Sequence, residues 1–124
     1  PPPPVGKLSI LQHLIRSYKL WHELKTHIPK NARYTLAEKV DSLFVEILEC
    51  MFRAQYSKRE HKLPILQTAN TKFDALKFFL QILWETKNLS TKHYELLSLQ
   101  FAEIGKMLGG WLKKIDAEAT LPHR

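Results

Sequence analysis

The chain has 124 residues, 44% of them hydrophobic, and a formal charge of +7, enough for one domain with a real core. A single cysteine, Cys50, excludes an intrachain disulfide and fits a reducing compartment. No run approaches the roughly 20 apolar residues of a membrane helix and no secretory pattern appears, so a cytoplasmic protein without a membrane segment is expected. Residues 1–6, opening on Pro1–Pro4, read as a disordered proline-rich stub. A first helix is expected over about 7–28, from Leu11, Leu14, Ile15, Tyr18, Trp21 and Ile28 at three- and four-residue steps, with Pro29 ending it. A short basic loop follows. A second helix over about 35–57 opens on Thr35 and Glu38, a Thr-x-x-Glu capping box, and carries the stripe Leu36, Val40, Leu43, Phe44, Ile47, Leu48 and Met51. A third, over about 64–87, starts at Pro64, a good first helical position because its missing N–H would be orphaned anyway. A fourth, over about 91–116, has Ser90 as its N-cap, and 117–124 reads as a frayed tail. Four helices with short connections and no period-2 alternation predict an all-α, up-down-up-down four-helix bundle.

Two features point beyond one bundle. Phe73, Leu76, Leu80 and Trp84 form the main stripe of the third helix, while Phe78 and Ile82 lie on its opposite side. A helix apolar most of the way round is normally buried on more than one side, which favours a homo-oligomer with Phe78 and Ile82 at its interface. The last helix holds Gly105, Gly109 and Gly110, and glycine costs a helix interior about 1 kcal/mol relative to alanine. Gly105 and Gly109, four apart on one flank, are expected to admit a close neighbouring helix and to share that interface.

The charge is uneven. Residues 7–37 hold six bases against Glu23 alone, a net +5. Arg16 and Lys19 lie on the outward side of the first helix, Lys30 and Arg33 in the first loop, and Lys58, Arg59 and Lys62 around the second. These seven are the candidate contacts for nucleic acid or another anionic partner, since phosphates need only positioned cations. The same cations serve equally as a solvated surface, or as C-terminal partners of a helix dipole, a reading that applies to Lys58 and Arg59.

Catalytic patterns are missing from the string. The six histidines form no pair at i, i+3 or i, i+4, there is no Glu-x-x-His, and no glycine-rich phosphate loop opens a helix. Cys50 sits mid-helix beside the apolar stripe and reads as structural. No catalytic residue, metal or cofactor is indicated.

IPKNARYTL (28–36) and FAEIGKMLGGWLKKI (101–115), with the order and spacing across about residues 10–115, resemble the accessory variability determinant (Avd) proteins of diversity-generating retroelements. GKMLGGWL (105–112) is the most specific part. The resemblance implies a pentameric ring of four-helix bundles with a basic surface, encoded by a bacterium or phage. It also implies a non-enzymatic partner of the element's reverse transcriptase and of template RNA or RNA/DNA hybrid, supporting mutagenic cDNA synthesis. No family motif fixes the seven basic positions individually. The alternative is the related four-helix-bundle proteins encoded by rRNA intervening sequences, which share the Pro-Lys…Arg-Tyr-x-Leu region; there the chain would be a structural oligomer with no direct nucleic-acid role. Trp111 and the glycines favour the retroelement branch.

Overall fold

The computed structural model of the chain describes residues 9–120, with side chains through Glu118. The stub at 1–6 lies outside the described residues. α1 (Ile10–Leu24) starts after a capping box at Ser9, whose Oγ accepts from the Gln12 N–H at 3.2 Å while Gln12 Oε1 accepts from the Ser9 N–H at 2.8 Å. Among the described residues the helix begins at Ile10, directly after its cap; residues 7 and 8 of the expected span lie outside them. At its end it tightens into one 3₁₀ turn, Lys25–His27. Ile28 is extended (φ −77°, ψ 132°), as the residue before a proline prefers.

The basic loop read from the sequence is itself a helical turn, α2 (Lys30–Arg33). The Pro29 carbonyl accepts from the Ala32 and Arg33 N–H groups, both at 3.0 Å. Thr35 does sit at the N-cap of α3 (Leu36–Tyr56), but its side chain caps nothing and the expected capping box is absent. A capping side chain reaches the first turn from extended backbone, and Thr35 has ψ −89°.

α4 (Arg59–Glu85) starts five residues before Pro64, which therefore lies inside the helix. The bond it forfeits is to the carbonyl of Glu60, an exposed residue, so water can replace it. The helix closes in a Schellman motif: the Asn88 N–H reaches the Leu83 carbonyl at 2.9 Å and the Lys87 N–H that of Trp84 at 3.0 Å. Lys87 takes the left-handed conformation there, with φ 63°. Ser90 caps α5 (Thr91–Thr120) as expected, its Oγ accepting from the His93 N–H at 3.2 Å. α5 runs through Thr120, past the end expected at 116.

The four long helices alternate in direction. α3 packs on α4, α4 on α5, α5 on α1 and α1 on α3, closing the bundle. One buried aromatic from each meets at the centre. Phe44 stacks on Trp21 at 6.4 Å and meets Phe101 edge-on at 5.6 Å, and Phe101 meets Phe73 at 5.4 Å. Ser17 is the one buried polar side chain among the described residues, and its hydroxyl donates to Gln100 Oε1 at 2.6 Å across α1 and α5.

Two expectations change here. Leu83, fully buried, takes the place read for Trp84, which instead stacks on Tyr94 at 4.6 Å and donates its indole N–H to Thr91. A Cβ on Gly105 would meet Phe73 at 3.6 Å, an ordinary contact, and one on Gly109 would meet nothing within 4 Å. No helix of the same chain presses on either glycine.

Candidate partner interface

α1 and α3 meet at the end of the bundle that carries the first loop, called the upper end here. Asp41 Oδ1 there accepts from Lys25 Nζ at 3.0 Å, the Tyr18 hydroxyl at 3.1 Å and the Trp21 indole N–H at 3.2 Å. Burial pushes the Asp41 carboxyl up, but the hydrogen bond and charge of Lys25, with the bonds from Trp21 and Tyr18, outweigh it and hold the group below its usual range. The unfolded value is about 3.9. A lowered folded value gives stability that is fully present above the unfolded one and is lost as pH falls through the folded one. The stability difference between the wild type and Asp41→Asn should therefore be constant near neutrality and shrink below about pH 4, as read by urea unfolding at a series of pH values. A difference that stays constant into that acid range would refute the assignment.

Beside this cluster lies Arg33. Its Nη2 donates to the Ile28 carbonyl at 3.0 Å and faces the Thr26 carbonyl at 3.4 Å, while its buried Nε has no partner. Arg33 clamps the end of α1 and is not a free cation. Lys30 on α2 is exposed and pairs with no described side chain. Arg16 and Lys19 are likewise exposed and unpaired among the described residues.

The second group sits at the opposite, lower end. Arg59 grips Glu118 with two bonds, Nη2 to Oε1 at 2.8 Å and Nε to Oε2 at 2.9 Å, tying the start of α4 to the last turns of α5. That bond holds the Glu118 carboxyl low. Lys62 Nζ donates to the Ala54 carbonyl at 2.7 Å and lies 5.7 Å from the centre of the Trp111 ring. The helix-dipole role anticipated for Lys58 and Arg59 thus falls to Lys62, at the last turn of α3. Lys58 is exposed and unpaired among the described residues.

The seven cations therefore do not form one patch. The two loops are separated by the length of α3, 21 residues or about 31 Å. Arg16, Lys19, Lys30 and Lys58 remain available for an anionic partner, while Arg33, Arg59 and Lys62 hold the fold. Lys113 and Lys114, exposed on the last turns of α5, join Lys58 at the lower end. Their only sequence signal was their place near the end of the resemblance stretch 101–115; the topology brings them beside the second loop.

For catalysis the described residues offer little. They contain no group of three or more His, Cys, Asp and Glu placed to hold a metal. Burial, above all, pushes the Cys50 thiol up, away from the reactive thiolate. Among them, no helix is long and apolar enough to cross a membrane.

Residues 8–115, the first loop, the second loop and the glycine-bearing stretch included, match the model of one family, described as bAvd-like. The chain belongs to the bAvd-like family. No curated protein matches it. The bAvd-like proteins are bacterial accessory variability determinants, non-catalytic accessory factors of diversity-generating retroelements. The bAvd-like match covers α1, α2, α3 and α4 whole and α5 through residue 115.

Proposed function

We propose that the chain is a non-catalytic accessory protein that binds a retroelement's reverse transcriptase and its template RNA or RNA/DNA hybrid, supporting mutagenic cDNA synthesis in the bacterial cytoplasm. The observation that carries this reading is the family match across residues 8–115. The four exposed, unpaired cations supply the sequence-independent part of nucleic-acid affinity. The test is twofold: co-purification with the reverse transcriptase of the same element, and titration of RNA binding with salt. Capture of the enzyme together with salt-sensitive RNA binding is expected. A chain that does neither would overturn this reading and leave a structural oligomer with no direct nucleic-acid role.

The same reading takes the protein as a homo-oligomer, a pentameric ring, with Phe78, Ile82, Gly105 and Gly109 at the interface. Phe78 is 56% exposed, a large apolar ring left in water by its own chain. Gly109→Leu separates two roles for that glycine. Within one chain the site is open, so the substitution should raise helix stability by up to about 1 kcal/mol. At a subunit contact the same side chain overpacks, at a cost of about 1–3 kcal/mol. Light scattering should show weakened assembly while circular dichroism shows an intact helix. Unchanged assembly would remove Gly109 from the interface.

A further inference from the structure

α3 is apolar on two sides. Its inner side buries Val40, Phe44, Ile47 and Met51 in the core. Its outer side carries Val45, Phe52 and Tyr56, which are 47%, 56% and 77% exposed. Their seven- and four-residue spacing puts them on one stripe. The Phe52 and Tyr56 rings lie 5.0 Å apart, a ready-made aromatic ridge. Elsewhere on the molecule, α4 and α5 frame an open groove of about 730 Å³. Its walls include Phe78 and Lys77 from α4 and the small residues Ser98, Ala102 and Gly105 from α5.

We propose that these surfaces are the two halves of one contact, with the α3 ridge of one copy seated in the α4–α5 groove of the next. This rests on the homo-oligomer reading above and names the second surface which that reading lacked. A two-fold dimer joins a patch to itself, whereas a ring or filament joins two unlike patches. This chain has two unlike patches, one convex and aromatic, the other concave with small residues along one wall.

Charge order supports the pairing. Glu49 and Arg53 lie beside the ridge and form no ion pair with described residues. Lys77 and Asp74 line the groove, 3.4 Å apart. Descending from the upper end, α3 presents acid then base, and α4 presents base then acid. The spacings are similar, about 6 Å along α3 and about 4.5 Å along α4. Two copies running in the same direction can therefore set Glu49 against Lys77 and Arg53 against Asp74 together.

The aromatic ridge falls into place in that register. The Lys72–Glu46 ion pair and the bond from Lys62 to the Ala54 carbonyl fix which residues of α3 and α4 are level. The Phe73–Phe101 contact does the same for α4 and α5. On this scale Phe52 comes level with the gap between Ser98 and Ala102, and Tyr56 with the gap between Ala102 and Gly105, where small side chains leave room for a ring. The neighbour then sits about nine residues, or about 14 Å, along the bundle axis. Bundles inclined to the assembly axis absorb that step and close a ring; upright bundles continue as a filament.

Complementation tests this directly. Phe52→Glu spoils the ridge and keeps the groove; Phe78→Glu spoils the groove and keeps the ridge. Each variant alone should run as a monomer in light scattering. An equimolar mixture should give a dimer of twice the chain mass and nothing larger, because only one good ridge and one good groove remain to meet. Tyr56→Asp with Ala102→Glu repeats the experiment at independent positions, with circular dichroism confirming helical folding of all four. Phe52→Glu assembling like the wild type, or a mixture that stays monomeric, would overturn the pairing of these surfaces. A wild type that is itself monomeric at micromolar concentration would overturn the oligomer reading as well.

Discussion

Replacing Phe44 by alanine should cost about 3–5 kcal/mol of unfolding free energy, the largest loss expected from any single core truncation in this chain. Phe44 is fully buried and is the hub of the aromatic centre. It touches Tyr18 at 5.5 Å, Trp21 at 6.4 Å and Phe101 at 5.6 Å. Removing it takes an edge or stacking partner from three rings on two other helices. Large aromatics around the site cannot collapse far to fill the gap, so the cavity persists. Phe44→Leu, which fills part of the volume, should cost less. Urea unfolding of the three proteins gives the comparison: the midpoint should fall in the order wild type, Leu, Ala, with the slope unchanged because the surface exposed on unfolding is nearly the same. A Phe44→Ala loss below about 1 kcal/mol would mean that the centre repacks freely.

That hub was visible in the sequence as a stripe, and the reason is periodicity. Val40, Leu43, Phe44, Ile47 and Met51 repeat at helical spacing and all are buried. Ser90 was legible for a similar reason, since a cap sits next to the turn it caps. The failures share a cause too. Thr35 and Glu38 have the spacing of a capping box, but Pro29 and the helical turn behind it set a backbone angle at Thr35 that takes the side chain out of range. Pro64 is acceptable at a first helical position, yet α4 gains a further turn by starting at Arg59, where Lys62 reaches Ala54 and Arg59 reaches Glu118. The Arg59–Glu118 bond joins residues 59 apart in the chain, and the Lys62–Ala54 bond crosses the turn between α3 and α4 to a backbone carbonyl; neither leaves a side-chain pattern in the sequence. The same limit applied to the cations. Charge can be counted along a string, but whether Arg33 faces water or clamps a carbonyl depends on the three-dimensional path of residues 26–33. The α3 ridge was hidden differently: Val45, Phe52 and Tyr56 fall between the core positions of a helix whose buried face already accounted for its amphipathicity.

For the proposed nucleic-acid interface, the largest effect is expected from replacing Arg16, Lys19, Lys30 and Lys58 together with glutamine. Removing one cation from a phosphate should flatten the dependence of log affinity on log salt by roughly 0.7–0.9, so removing all four flattens it by about 3 in an isolated chain. In an oligomer the same change repeats in every subunit and the affinity loss multiplies through avidity. Arg33 is left in place because truncating it would strip donors from the Ile28 and Thr26 carbonyls and confound binding with stability. Arg59→Gln with Lys62→Met is the contrasting pair. It removes two cations that are already committed to Glu118 and Ala54, so it should lower thermal stability and barely alter the salt slope. Restoring Lys58 alone, or Arg16, Lys19 and Lys30 alone, then asks which end of the bundle meets the phosphates, since about 31 Å of α3 separates the loops. A quadruple variant with the wild-type slope and affinity would reduce these residues to a solvated surface. Retained capture of the reverse transcriptase by that variant, with RNA binding abolished, would place the enzyme on a different face from the one that meets phosphate.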